Sequence, residues 1–418
     1  MGEILFLSHR IPFPPDRGDK IRSHHVLKAL AALAPVHVAT FADDADDHRH
    51  EGELAGVAVS HCLVQRRKPL PAAAIEALAT GRPLSLTAFH SGTIARYVAQ
   101  VLATRPISAI YVFSGQMAQY VPTGFTGRVV ADLVDVDSAK FDAYAERDRG
   151  PRAWMERREG RLLAREEARI VAASDATLLI SEAEAELLQS RLPARSVQVH
   201  AMGNGIDAAL FDPAAVLPEP AMLACSGPPL IFTGQMDYAP NVAAATRAIE
   251  RILPLVRDVC PGATLHVVGR NPPTSLKAQD GRDGVHVWGR VDDIRPWLGA
   301  ADCALVPLEI ARGVQNKVLE AMAMALPVVL TPGAATGIPA EPGRDFLVAQ
   351  SDAELAAAVI SLAADADRLK EMGQAARGWI LGHAAWEAAL RSLPVHMGVA
   401  ASDTAAPIPS AATLCDAA

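Results

Sequence analysis

The chain has 418 residues, half of them hydrophobic and 5% aromatic, with a formal net charge of -8. That length exceeds one typical core and predicts two domains of roughly 200 residues each, while the mild acidity argues against a nucleic-acid partner. Cys62, Cys225, Cys260, Cys303 and Cys415 form no CxxC pair and show no His spacing, so neither a zinc site nor a disulfide framework is indicated and a reducing cytoplasm fits. The start lacks a basic n-region, and no apolar run reaches about 18 residues without a charge, so neither secretion nor a membrane span is expected.

In chain order, Ile4 to Leu7 predicts a strand. A Pro-rich turn and Arg17-Gly18-Asp19-Lys20 follow, then apolar residues at helical spacing (Ile21, Val26, Leu27, Leu30). Further strands are expected at Val36 to Thr40, Cys62 to Val64, Ala109 to Phe113, Val129 to Leu133, Ala176 to Ile180 and Val197 to His200, with helices between most of them. This alternation predicts an α/β, doubly wound parallel sheet. Residues 1 to 215 are assigned to this first domain and 216 to 229, rich in Pro and Gly, to a linker. A second α/β cycle spans 230 to 383, with strands at Leu230 to Thr233, Thr264 to Val268, Val285 to Trp288, Cys303 to Val306 and Pro327 to Leu330. A helix over 384 to 393, carrying Trp386, is expected to cross back, and 394 to 418 reads as a disordered tail.

The segment from Arg312 to Val329 holds a cation, an amide and a carboxylate at helical spacing ahead of an apolar strand. A helix opened by Gly313 offers free backbone N–H groups and a positive dipole end suited to a diphosphate, and Glu320 can accept from paired ribose hydroxyls. The plain alternative is a surface ion pair between Lys317 and Glu320. The stripe Leu319, Met322 and Ala323 and the strand after it favour a crevice at a sheet's carboxyl edge.

Gly234-Gln235-Met236-Asp237-Tyr238 with Pro240-Asn241, Val267-Val268-Gly269, Trp288-Gly289-Arg290-Val291, Asp302 to Pro307 and Lys317 to Val329 come in an order that resembles glycosyltransferase family 4. In the first half, Asp175 to Ser181 and Asn204-Gly205-Ile206-Asp207 look alike too. Asp132 to Ser138 and Ile310 to Lys317 are most similar to the exosortase/PEP-CTERM-associated exopolysaccharide sugar transferases. The resemblance implies a GT-B fold, two Rossmann-like domains facing a central cleft, and a retaining, metal-independent transferase of hexosyl type. Its substrates would be a nucleotide-sugar donor and a glycan or lipid-diphosphate acceptor, without a cofactor. On that reading Asp135, Lys317 and Arg312 carry catalysis. Gly18, Gly234, Val291, Gly313, Val314, Asn316, Lys317 and Glu320 hold the donor.

The chain departs from the family pattern at three places. Arg312 stands where relatives have a sugar-contacting glutamate, with Glu309 out of register. Gln235 and Pro240 replace an Arg and a Lys that clamp the diphosphate, which shifts that role to Lys317 and Arg312, aided by Arg10, Arg17 or Lys20. Asp135 and Asp137 follow the first-domain strand where relatives carry a histidine; either orients the acceptor or stabilises charge on the sugar ring, or one caps the helix near Ser138. The stretch Arg147 to Arg169, interleaved with Glu and Asp, reads as a solvated helix face with salt-bridge spacing. Its alternative, with Arg66-Arg67-Lys68, is a surface meeting anionic lipid at the inner membrane face. Competing functions are a nucleotide-sugar epimerase of the same fold and a non-catalytic scaffold.

Overall fold

The computed structural model describes residues 2–147, 149–225, 227–309 and 314–399, apart from the side chains of Arg147 and Pro151. The chain forms two compact units, one running to Asn204 and joined by the segment from Ala389, the other Gly205–Ala388.

The first unit is built on strands β1 (Glu3–Ser8), β2 (Val36–Ala42), β3 (Ser60–Gln65), β4 (Ile107–Phe113), β5 (Arg128–Val134), β6 (Ala176–Leu179) and β7 (Val199–Ala201). All pair in parallel, in the order β3-β2-β1-β4-β5-β6-β7. Ile4 to Leu7 are wholly buried, as a central strand covered on both faces requires. Its helices of eight residues or more are α1 (Gly18–Leu33), α2 (Leu70–Thr80), α3 (Gly92–Thr104), α4 (Asp137–Arg147), α5 (Gly150–Ala173) and α6 (Glu182–Arg191).

The second unit carries β8 (Pro229–Thr233), β9 (Thr264–Val268), β10 (Val285–Gly289), β11 (Cys303–Val306), β12 (Val328–Leu330) and β13 (Leu347–Val348), also parallel, in the order β10-β9-β8-β11-β12-β13. Its helices of that length are α7 (Ala239–Arg247), α8 (Asn316–Ala323), α9 (Asp352–Ala363) and α10 (Ala366–Trp379). Each unit has its own apolar core. The strand order reverses between β1 and β4 in one sheet and between β8 and β11 in the other, and ligands of such sheets bind at the carboxyl ends beside that reversal. The expected strands are all present, with ends shifted by a few residues; β13, two residues long, had no pattern to announce it.

Three expected boundaries are corrected. The first unit ends at Asn204, not 215: Phe211 packs on the second core, and the Ile206 N–H donates to Ala384 O (2.7 Å). The assigned linker 216–229 is not free chain, because Met222 is fully buried in that core and the Glu219 N–H donates to Pro296 O (2.9 Å). Residues 384–393 are not one helix; a short turn, Trp386–Ala389, is separated from another, Leu393–His396. Trp386 is buried against Gly205, where a Cβ would come within 2.5 Å of the Trp386 Cα. Residues 394–397 belong to the first unit rather than to a tail, with Met397 buried and the Arg128 Nε donating to His396 O. Residues 400–418 lie outside the described residues.

The first unit is held by a buried ion pair. Arg22 of α1 donates Nε and Nη2 to Asp132 of β5 (2.9 and 3.2 Å), Tyr111 adds its hydroxyl to Asp132 (2.8 Å), and Arg22 Nη1 reaches Gly203 O and Asn204 Oδ1 (3.0 Å each). Arg22 is 1% exposed and Asp132 not at all. Removing one partner strands the other charge without water, so Arg22→Leu is expected to cost about 3–5 kcal/mol. Chemical denaturation of the full chain measures it, and a loss under about 1 kcal/mol contradicts the reading.

Candidate functional site

Glycines shape the carboxyl edge of the second sheet. β8 runs into Gly234, whose N–H donates to Val268 O (3.1 Å), and β9 into Gly269, whose N–H donates to Gly289 O (2.7 Å). At Gly269 a Cβ would lie 1.6 Å from the Gly234 carbonyl oxygen, so only glycine allows this approach. The Met236 N–H then donates to Arg270 O (2.9 Å), joining the turns that follow β8 and β9.

Helix α8 begins at Asn316 with Gln315 as its N-cap residue, not at the glycine expected to open it. Its positive dipole end therefore sits at Asn316 and Lys317, after β11. The Lys317 Nζ donates to Asn241 Oδ1 (2.6 Å) and stands 4.6 Å from the centre of the Phe232 ring. The Asn241 amide nitrogen in turn donates to Gln235 O (2.9 Å). A Cβ on Gly234 would come to 3.0 Å from the Lys317 ammonium, so this glycine too keeps the space open.

Among the described residues no carboxylate makes ion-pair contact with Lys317. Burial pulls its pKa down to about 8, and the negative charge of Glu320, nearly one turn further on, opposes this only in part. Burial likewise pushes Glu320 above the ordinary carboxylate value, with Lys317 working against the shift. The simple surface ion pair is thus not what these residues form. Each is half-buried, and the lysine keeps a charge that a neutral amide and a ring face support.

The other donor-site expectations fall as follows. Asn316 is exposed in the first turn of α8, and Val314, 45% exposed, lies over Gly337, where a Cβ would come within 3.0 Å of its Cγ2. Val291 follows β10 and Gly289 and packs on the second core. Gly234, Val291, Asn316, Lys317 and Glu320 are therefore placed by strand ends and by the helix after β11 of one sheet. Arg312 and Gly313 lie outside the described residues.

Gly18 and Asp135 belong to the other unit. Gly18 opens α1 with an extended Arg17 before it, and a Cβ there would meet nothing within 4 Å. The loop cations expected to aid the diphosphate are already neutralised: Arg10 bonds Asp43 (2.6 Å) and Asp19 (2.5 Å), Arg17 bonds Asp43 (3.2 Å), and buried Lys20 bonds Asp47 (2.5 Å). A phosphate would have to displace these carboxylates, which corrects that expectation. Asp135 accepts from Lys140 (2.8 Å), as does Asp137 (3.3 Å). Burial alone would lower Lys140, but the two carboxylates reverse this and hold it charged.

Asn241 was named only as part of a motif, and Phe232 and Arg270 carried no site assignment in the sequence. Asn241 and Phe232 hold its ammonium, and Arg270 faces Gln235: with the amide oxygen turned to it, Gln235 accepts from Arg270 Nε (3.0 Å). A guanidinium thus stands beside the position where the clamp arginine was missed. Among the described residues, Cys225, His266 and His286 are close enough to suggest a metal site. The His266 Nδ1 accepts from Trp288 Nε1 (3.0 Å), however, so its Nε2 carries the proton, facing Thr264 Oγ1 (3.0 Å) and Cys225 Sγ (3.8 Å). The trio is a hydrogen-bonded, stacked cluster, and burial pulls His266 down to about 4.

Residues 227–365 match the family Glycosyl transferases group 1. A curated relative, alpha-maltose-1-phosphate synthase of Mycolicibacterium smegmatis, is 32% identical over 240 residues, covering 52% of this chain and 61% of that protein. Among solved structures, Anabaena HepE in complex with UDP and glucose is 14% identical with a TM-score of 0.58, covering 95% of this chain and all of its own. Sucrose-phosphate synthase of Thermosynechococcus elongatus is 17% identical with a TM-score of 0.58, covering 96% and 99%. The two Rossmann-like units thus have the GT-B fold, and the second contains the segment that matches the glycosyl transferases group 1 family.

Proposed function

We propose that the chain is a retaining, metal-independent glycosyltransferase of family 4, moving a hexosyl group from a nucleotide-sugar donor to a lipid-linked glycan during exopolysaccharide assembly at the cytoplasmic membrane face. One observation carries the donor half: Lys317 holds a half-buried positive charge, without a contacting carboxylate among the described residues, at the dipole end of α8 and the strand reversal of the second sheet. A nucleoside diphosphate supplies the missing anion. The family match over 227–365 and the UDP and glucose bound to HepE support the same reading.

The chemistry needs a stabilised leaving diphosphate. Lys317, Arg270 and the first amides of α8 are fixed before the reaction and need no reorganisation as charge develops. Glu320 accepts from the ribose hydroxyls. Asp135, which accepts from Lys140, is assigned the acceptor side, orienting a hydroxyl or countering positive charge on the sugar ring.

Binding of UDP and GDP, followed by calorimetry or thermal shift, is expected to weaken about 10- to 100-fold in Lys317→Met, the loss of one charge-assisted contact. Unchanged affinity in both Lys317→Met and Glu320→Ala removes the site. The pH profile has a defined sign. Lys317 is charged only below its lowered pKa, so affinity falls as pH rises through about 8; it also falls on acidification as Glu320 protonates, from above the ordinary value of 4.5. Lys317→Arg should abolish the alkaline limb, and a wild-type profile flat through that region contradicts the assignment. Asp135→Asn should reduce turnover with a glycan acceptor about 100-fold or more while leaving nucleotide affinity unchanged; equal turnover clears Asp135 of a role.

A further inference from the structure

Helix α5, 24 residues and about 36 Å long, keeps ion pairs of the spacing its sequence suggests, Arg152–Glu156 (3.2 Å) and Arg169–Glu166 (2.5 Å), but not an alternating, fully solvated charged face. Its glutamates turn inward. Glu159 accepts the backbone N–H groups of Leu84 and Ser85 (2.8 and 2.9 Å), Glu167 accepts the N–H and hydroxyl of Ser138 (2.9 and 2.5 Å), and Glu156 is buried. Glu166 is half-buried and holds Arg169. Arg157, Arg161 and Arg165, four residues apart, are exposed, and no exposed acidic residue of α5 stands among them. A cationic stripe thus lies on a chain whose net charge is -8.

An unpartnered apolar helix adjoins it. Arg158 fastens α5 to the end of α2 through Ala77 O (2.6 Å) and Arg82 O (3.2 Å). Helix α2 buries Ala73 and Ala77 and turns Ile75 (70% exposed) and Leu78 (51%) outward. Its one charged residue, Glu76, is taken by Lys68. Trp154, 51% exposed, lies one turn before Arg158.

Exposed aliphatic groups and a tryptophan next to outward arginines match the lipid headgroup region, where rings and alkyl groups enter the acyl boundary and guanidinium groups meet phosphates. A nucleic acid would satisfy the cations but leave the apolar face in water. A symmetric contact with a second copy would set one arginine stripe against another.

We propose that the outward faces of α2 and α5 form a docking surface for an anionic lipid bilayer. The surface serves the lipid-linked acceptor of the preceding reading, but it is tested without donor or acceptor, so the two fail separately.

Sedimentation of the full chain with phosphatidylcholine vesicles and with vesicles containing phosphatidylglycerol tests it. Binding is expected to the anionic vesicles only, weakening as salt is raised. The set Arg157→Glu, Arg161→Glu, Arg165→Glu and the pair Ile75→Ser, Leu78→Ser should each lower it at least about tenfold, with nucleotide binding and circular dichroism unchanged. Brominated lipid should quench tryptophan fluorescence, and Trp154→Phe should remove that quenching. No binding to anionic vesicles, or binding indifferent to both sets, overturns the proposal. Loss of DNA binding or of self-association in these variants, without a lipid effect, also overturns it.

Discussion

A lysine ammonium held where water is scarce, touched by no carboxylate of the described residues, sets the terms for the rest of the second unit. A neutral amide and an aromatic face support the Lys317 charge without cancelling it. The protein carries the desolvation penalty in the free state, visible as the downward pull on the lysine, and an entering anion relieves it. Glu320 completes the division of labour on one short helix, a cation in the first turn and a carboxylate in the next.

That arrangement depends on backbone rather than on side-chain chemistry. Gly269 lets the ends of β8 and β9 meet, and Gly234 leaves space for the ammonium. The strand order reverses between β8 and β11, and α8 follows β11 at that reversal, where ligands of such sheets bind. In the first unit the buried Arg22–Asp132 pair does comparable work, linking α1 and β5 to Gly203 and Asn204 at the end of that unit.

Much of this was legible in the residues. The apolar runs announced nearly every strand because parallel strands are buried on both faces and lose their alternation; β13 is too short to do so. Lys317 and Glu320 were legible because helical spacing and an apolar stripe placed them. The roles of Asn241, Phe232 and Arg270 were not, although Asn241 belonged to a recognised motif, since their contacts join residues far apart in sequence and no local pattern encodes them. The loop cations Arg10, Arg17 and Lys20 misled largely for the same reason: besides the local Asp19, which pairs with Arg10 and Arg17, their partners Asp43 and Asp47 lie beyond the next helix. In α5 the sequence shows charges but not which of them turn inward to backbone N–H groups. The boundary at Asn204 was missed because Pro and Gly mark turns whether or not the chain between them is packed.

The structure of the chain with a bound nucleoside diphosphate is the most direct test of the central claim. The account predicts phosphate oxygens within hydrogen-bond reach of the Lys317 ammonium and ribose hydroxyls on the Glu320 carboxylate. A nucleotide seated away from α8, with Lys317 still turned to Asn241 alone, would contradict it.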